Sequence, residues 1–460
     1  MRMSNSDSGL IAKRSNRLLV AVLTALCAVS ASALYAQDYA RLGERTILGT
    51  ARYIGMGGAM SAIGGDPSAV HDNPAGLGLY RRTEVMITFD ECMDKTKVKD
   101  NNYTSFRNCV SIPQASVVIS LPSYKDSDEG IQFNNVMFSY HRLRTYNRDI
   151  YATRQTPSPS LGNLLYYADV DWDIPFCSDR GNATSGLQLN ESGQVNEFAV
   201  DWSMNISNRW FVGAGVHAQS ARLYSDAVYS EVFKTVNQEG RNMTIKNSSS
   251  LILTNASVSG ALGLIYRPIM WLRIGFGLQT ASLGAMRTYA SGKLTALYDS
   301  LRTSYAPDID YSDSKFHMPW HTSTSVACQI GAYGMISFQH DYFHQKGETD
   351  RHSLRAGFEV IPILGMYINA GYAYESTFKN DTRIVGMDPT FVRQDTYFMH
   401  PKDAHYASVA LGYRGTYVIV QAAYQYCRQQ FNLWPHEEAS PFAVTADTHR
   451  IVLTLAWHRY

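Results

Sequence analysis

The chain has 460 residues, with 41 Lys and Arg against 40 Asp and Glu, for a net charge of +1. That balance implies no polyanionic partner such as a nucleic acid. No Pro/Ser-rich hinge or shift of composition divides the chain into soluble domains, and its 30 tyrosines and 18 phenylalanines are a heavy aromatic load.

In chain order, Lys13, Arg14 and Arg17 precede the apolar run "LLVAVLTALCAVSASAL" and the small residues Ala31, Ala33 and Ala36. This pattern predicts a secretory signal peptide over residues 1–36, cleaved after Ala36 or, as second choice, after Ala33. Cys27 raises a lipoprotein alternative, but the bulky Leu26 stands where a lipobox has a small residue. Residues 37–82 follow and contain "GMGGAMSAIGGDPSAVHDNPAGLG", from Gly55 to Gly78. Glycine-rich turns can cradle phosphates. Nucleotides are scarce outside the cytoplasm, however, and no Gly-Lys-Ser/Thr follows, so the P-loop context fails. Beyond the signal peptide, no apolar run is long enough to cross a bilayer as a helix.

From about residue 83 onward the signal is period-two alternation. Phe198, Val200 and Trp202 alternate with Glu197 and Asp201; Val212, Ala214 and Val216 with Gly213, Gly215 and His217. Leu272, Ile274, Phe276 and Leu278 oppose Arg273, Gly275, Gly277 and Gln279. Leu354, Ala356, Phe358 and Val360 oppose Arg355, Gly357 and Glu359, and Ile451, Leu453, Leu455 and Trp457 repeat the pattern near the C-terminus. About 14 strands are expected, each roughly ten to twelve residues long. Their centres fall near residues 87, 117, 138, 200, 215, 257, 275, 325, 338, 356, 369, 409, 421 and 453. A soluble sandwich would also alternate, so loop lengths decide. Tight turns at "NISNR", "YRPIM", "GAYG", "IPIL" and "YRGT", with a longer one at "SYKDSDEG", alternate with long polar segments, the longest from about residue 145 to 193. One end short and the other long is the pattern of a closed antiparallel transmembrane β-barrel in an outer membrane, over residues 83–460, with both termini periplasmic. The terminal "IVLTLAWHRY" suits a last strand, although Tyr460 breaks parity with Leu455 and Trp457.

A lumen of about 14 strands is wider than side chains can fill, since about eight already reach that limit. The small-residue segment 37–82 is therefore expected to fold inside as a plug, or alternatively to nucleate the first hairpin. Glycine allows the tight turns and close approach this requires.

The stretch "GMGGAMSAIGGDPSAVHDNPAGLGLYRRTEVMITF" resembles the N-terminal hatch of the FadL/TodX family of outer-membrane channels for hydrophobic compounds. The likeness is to the Bacteroidota branch, whose members often carry the label hemin receptor. It continues in "FSYHRLRTYNRD", "GLIYRPIMWLRIGFGL" and "DTHRIVLTLAWHRY", so it covers essentially the whole mature chain. The hatch motif maps onto Gly57, Gly58, Gly64, Gly65, Asp66, Asn73, Pro74 and Ala75. What the resemblance implies is a 14-strand barrel plugged by its N-terminal segment. Passive uptake of fatty acid-like or aromatic compounds would run past the hatch and out through an opening in the wall. In "LGNLLYYADVDWDIPF", the residues Leu161, Leu164, Leu165, Tyr166, Tyr167, Trp172 and Phe176 form a possible capture groove in an otherwise polar exterior, or else a small loop core.

Other chemistry is thin. No Gly-x-Ser-x-Gly elbow, His-Glu-x-x-His helix or Cys-x-x-Cys pair occurs, so no enzyme, cofactor or metal site is expected. His340, His344 and His352 with Asp341 and Tyr342 read as interfacial or loop-edge residues rather than ligands. Cys92 and Cys109 flank a loop and could form a disulfide in an oxidising compartment; Cys177 is the odd one, and Cys328 and Cys427 lie on strands. The partners expected are a hydrophobic ligand, membrane lipid and lipopolysaccharide, and the barrel-assembly machinery, with no nucleic acid. A non-transporting barrel acting as a scaffold or secretion-associated partner is the alternative.

Overall fold

The computed structural model describes residues 42, 45–99, 103–123, 129–156, 183–236, 241–298, 301–306, 310–344, 350–377, 398–435 and 440–458. The expected signal peptide, the capture groove, Cys177 and Tyr460 lie outside them.

The N-terminal segment carries two short helices, α1 (Ala51–Gly55) and α2 (Pro67–Asp72), then a 3-10 turn at Pro74–Leu79. Each starts on a polar cap: Thr50, Asp66 and Asn73 accept from the backbone N–H of Tyr53, Ser68 and Ala75. Proline follows directly at Pro67 and Pro74, where a missing N–H costs nothing.

Seventeen strand segments follow: β1 (Glu84–Val98), β2 (Thr104–Pro122), β3 (Ile131–Thr156), β4 (Ala183–Ile206), β5 (Trp210–Val236), β6 (Arg241–Ile269), β7 (Leu272–Gln279), β8 (Leu283–Tyr298), β9 (Leu301–Tyr305), β10 (Asp310–Phe316), β11 (Trp320–Ile330), β12 (Gly334–His344), β13 (Arg351–Ile363), β14 (Met366–Glu375), β15 (Phe398–Arg414), β16 (Val418–Trp434) and β17 (Phe442–His458). They make 14 staves. β7 and β8 run one after the other along β6, and β9, β10 and β11 run back along the same pair. Every pairing is antiparallel, and β17 closes on β1 from Glu84↔His458 to Val98↔Val444. Closure leaves no edge strand, the condition for β-structure in lipid.

The faces are sorted as the alternation demands. Phe198, Val200, Phe276, Leu354, Phe358 and Leu453 point outward and are exposed, while Glu197, Asp201, Arg355 and Glu359 are buried inside. Tight turns join the staves at one end. Ser207 and Asn208 adopt left-handed backbone there, and the Asn205 side chain accepts from the Asn208 N–H.

Strand length departs from expectation. β3, β4, β5 and β6 have 26, 24, 27 and 29 residues, not ten to twelve. At ~3.3 Å per residue, β6 is about 95 Å along its path, far beyond a membrane crossing. Residues 145–156 and 183–193, expected as loop, are the outer parts of β3 and β4. The reason is a reversal of polarity along one strand. In β4 the outward face carries Phe198 and Trp202 near the turn, but Gln188 and Asn190 farther out. The inward face changes in the opposite sense, from Glu197 and Asp201 to Leu187 and Leu189. The near part is surrounded by lipid and the far part by water, where the ordinary soluble rule returns. Inward residues of the far parts, among them Leu187, Tyr229, Phe233, Ile245, Phe431 and Phe442, form one apolar cluster.

This boundary is testable on β4. Val200→Arg should cost about 2–4 kcal/mol and Gln188→Arg about zero in urea unfolding from lipid vesicles. Equal costs would place both positions in the same medium and refute the boundary.

Candidate functional site

Residues 45–80 are buried almost throughout and lie against the inward face of the wall. Their packing depends on glycine in the strands. A Cβ on Gly263 would sit 2.2 Å from Asn73 Oδ1, and one on Gly213 would sit 2.4 Å from the Pro74 carbonyl carbon. On the opposite side, a Cβ on Gly371 would sit 2.1 Å from the Gly57 nitrogen, and one on Gly357 would sit 2.3 Å from the Met56 oxygen. Backbone therefore meets backbone at both places, and alternating glycine provides the clearance.

Hydrogen bonds fix what the glycines admit. Thr454 Oγ1 accepts from the Ala51 N–H at 2.9 Å, and Gln339 Oε1 accepts from the Ser61 N–H at 3.0 Å. Asn135 Nδ2 donates to the carbonyls of Leu77 and Tyr80, and Arg273 Nη1 to that of Ile63. Asn73 holds two parts together: its Nδ2 donates to Ser61 O at 3.1 Å and to Leu264 O on β6 at 3.3 Å.

The lumen charges pair with the segment as well as with one another. Arg52 makes a two-pronged bond to Glu359, at 2.7 and 2.9 Å. Arg355 reaches Asp72 at 3.2 Å, Asp341 at 3.0 Å and the Tyr53 hydroxyl at 2.9 Å. Tyr53 in turn donates to Asp72 at 2.6 Å. Alternation alone marked Arg355 and Glu359 as inward. Their partners Arg52 and Asp72 carried no strand signal and were missed.

Cavities remain on both sides of the segment. One of about 110 Å³ is lined by Arg45, Thr46, Asp94, Arg144, Arg148, Glu191, Arg351, Tyr406 and Arg450, among others. Another of about 500 Å³, toward the tight turns, is lined by Arg52, Gly64, Leu79, Glu84, Arg273 and Arg414, among others.

The wall is interrupted beside the first cavity. β2 and β3 pair only from Gln114↔His141 to Pro122↔Phe133. Above that point β2 stays with β1 and β3 stays with β4, and the ladder is open over residues 104–113 of β2. β3 bulges inward at Leu143, whose carbonyl accepts from the Thr46 N–H at 3.0 Å. Leu143 is buried among Leu42, Val195, Leu223, Leu253 and Met318. The two strands meet again through Arg107 and Asp149, 2.9 Å apart. On the outer face, Phe106 and Val110 at this gap are 70% and 75% exposed. The breaks between β7 and β8 and between β10 and β11 differ, because Ser282 bridges them through its hydroxyl to the Met318 N–H and its carbonyl to His317.

The remaining sequence candidates fall elsewhere. Gly57, Gly58, Gly64 and Gly65 all take positive φ, and Asp66 caps α2. His340 and His352 are exposed on the outer face, 3.1 Å apart. His344 contacts Asp350 at 2.6 Å. The exposed Asp350 carboxyl is held below its usual range first by the Tyr342 hydroxyl, then by His344. Cys92 and Cys109 are cross-strand neighbours, but both are free thiols, with Arg450 Nη2 donating to Cys92 Sγ.

No protein-family model matches the chain, and no curated protein sequence does. Solved structures do. A FadL homologue from Pseudomonas aeruginosa superposes with a TM-score of 0.55 at 12% identity, covering 90% of this chain and 99% of that one. Two structures of the toluene transporter TodX from Pseudomonas putida give TM-scores of 0.53 and 0.51 at 13% identity, with the same coverage. The chain thus has the fold of the FadL and TodX barrels, the architecture its residues led us to expect.

If the segment is held by its charges, Glu359→Ala leaves Arg52 buried without its carboxylate. The segment should lose about 3–5 kcal/mol of docking, read as faster hydrogen exchange over residues 50–60 with the strands unchanged. Unaltered exchange there would mean that the glycine contacts alone secure it.

Proposed function

We propose that the protein is a passive channel of the Gram-negative outer membrane for hydrophobic small molecules, with residues 37–82 as its hatch. The observation that carries this reading is the open β2–β3 ladder lying beside a cavity that the N-terminal segment floors. An apolar solute has no good path through a watery pore. It needs apolar surface at the outer mouth and a sideways exit into lipid. The packed cluster of inward Leu, Phe and Tyr residues in the outer strand parts supplies the first where it parts around a solute, and the gap above Gln114 and His141 provides the second. The neighbours of like fold include a toluene transporter, which supports the same class of solute here.

In this reading both termini are periplasmic and lipopolysaccharide surrounds the outer strand parts. The barrel-assembly machinery inserts the chain, and Leu161, Leu164, Leu165, Tyr166, Tyr167, Trp172 and Phe176 make the first contact with solute. The arginines of the smaller cavity suit a solute with an anionic end as well as a neutral one.

Deleting residues 40–80 tests the hatch. The barrel should still assemble and admit small hydrophilic antibiotics, while uptake of a labelled long-chain fatty acid falls. Loss of assembly would make the segment a folding element. Assembly with unchanged permeability and uptake, and no apolar molecule co-purifying in native mass spectrometry, would favour a scaffold barrel.

A further inference from the structure

We propose that His71, Glu197 and His217 bind a divalent transition-metal ion of the zinc class, which fastens the N-terminal segment to the wall. His71 lies in the last turn of α2 in the segment, Glu197 lies on β4 and His217 on β5, and all three are buried. One donor atom of each lies within 4.8 Å of the others, and they are the one such group among the described residues.

The donors converge on one carboxylate oxygen at ion-pair distance. His71 Nδ1 stands 2.7 Å from Glu197 Oε1, yet both atoms are buried without a hydrogen bond. His217 Nδ1 lies 3.1 Å from the same oxygen. Donors bonded at ~2.0–2.1 Å to one tetrahedral ion stand about 3.3 Å apart; the His217 separation is near that, and the His71 separation must open by about 0.6 Å to admit the ion. The neighbours set His217 for ligation. Arg45 Nη2 donates to Gln279 Oε1 at 2.8 Å, which turns Gln279 Nε2 toward His217 Nδ1 at 3.1 Å. Nδ1 is therefore unprotonated, its one lone pair accepting from Gln279 and open to an ion that displaces that amide, and Nε2–H faces Asp201 Oδ1 at 3.1 Å. A carboxylate behind the far nitrogen is the usual support of a metal-bound imidazole. Glu197 Oε2 is likewise held, by Gln219 at 2.7 Å, leaving Oε1 to the cluster.

Charge also favours a cation. Glu197 and Asp201 bring two carboxylates against one guanidinium, Arg45, whose Nη1 is 3.3 Å from His71 Nε2. Arg45 competes with the ion for His71, because a guanidinium only donates and draws the ring's lone pair to Nε2. Two histidines and a carboxylate suit Zn²⁺, with Co²⁺ and Ni²⁺ as substitutes. The site lies at the foot of the open ladder: His71 stacks on His141, the last β3 residue paired to β2, with ring centres 4.6 Å apart.

The test uses the full barrel in detergent with His340→Ala and His352→Ala to remove the exposed pair. Crystals grown with Zn²⁺ should show an anomalous peak between the three donors, and binding should be one ion per chain. His71→Ala should reduce that to none, Asp201→Asn should weaken it ten- to a hundredfold, and Arg45→Gln should tighten it. Zn²⁺ should also slow hydrogen exchange over residues 67–80. No peak at these donors in the folded barrel overturns the proposal. So does unchanged stoichiometry in His71→Ala.

Discussion

In a bilayer an unpaired backbone amide has no water to turn to, and the rest of this molecule follows from that constraint. It requires the sheet to close, and closure over 14 staves creates an interior too wide for side chains to cross. The interior must be occupied, and here the occupant is backbone carried in from the N-terminus. Glycine at alternate inward positions lets it approach, and buried ion pairs fix its register. Replacing a buried pair by apolar residues is often neutral or stabilising. The pairs are better understood as fixing one arrangement than as contributing stability.

The open stretch between β2 and β3 is the exception to the constraint, and the exception is local. It begins where the Leu143 bulge draws β3 toward the segment, and it ends where Arg107 and Asp149 rejoin the strands. The segment and the gap are thus one feature: the Thr46 N–H that holds the segment also holds the bulge.

Much of the barrel was legible because alternation is strict wherever one face meets lipid. Each of the 14 anticipated strand centres lies within a strand, from Ile87 in β1 to Leu453 in β17. Strand ends were not legible where the surroundings change from lipid to water. There the apolar residue moves from the outward to the inward face, and a reader following Phe198 and Trp202 loses the pattern at Leu189. The inward face was readable as polar, but its partners were not. Arg52, Asp72 and His71 sit on one-turn helices without periodicity, and only the fold brings them to Glu359, Arg355 and Glu197. Attention to His340 and His352 found histidines that share an outer face. The cluster that converges inside joins residues 126 and 146 positions apart.

The glycine contacts also bear on the order of assembly. The segment's backbone touches β5, β6, β7, β13 and β14 with no room for a methyl group at several points. A ring already closed offers no clearance for such a segment to be threaded in afterwards with its arginines extended. The consistent sequence of events is that the segment is already in place when the ring closes, although the ring does not depend on it to close. The joining of β17 to β1, the strand that continues directly from the segment, then seals the seam last.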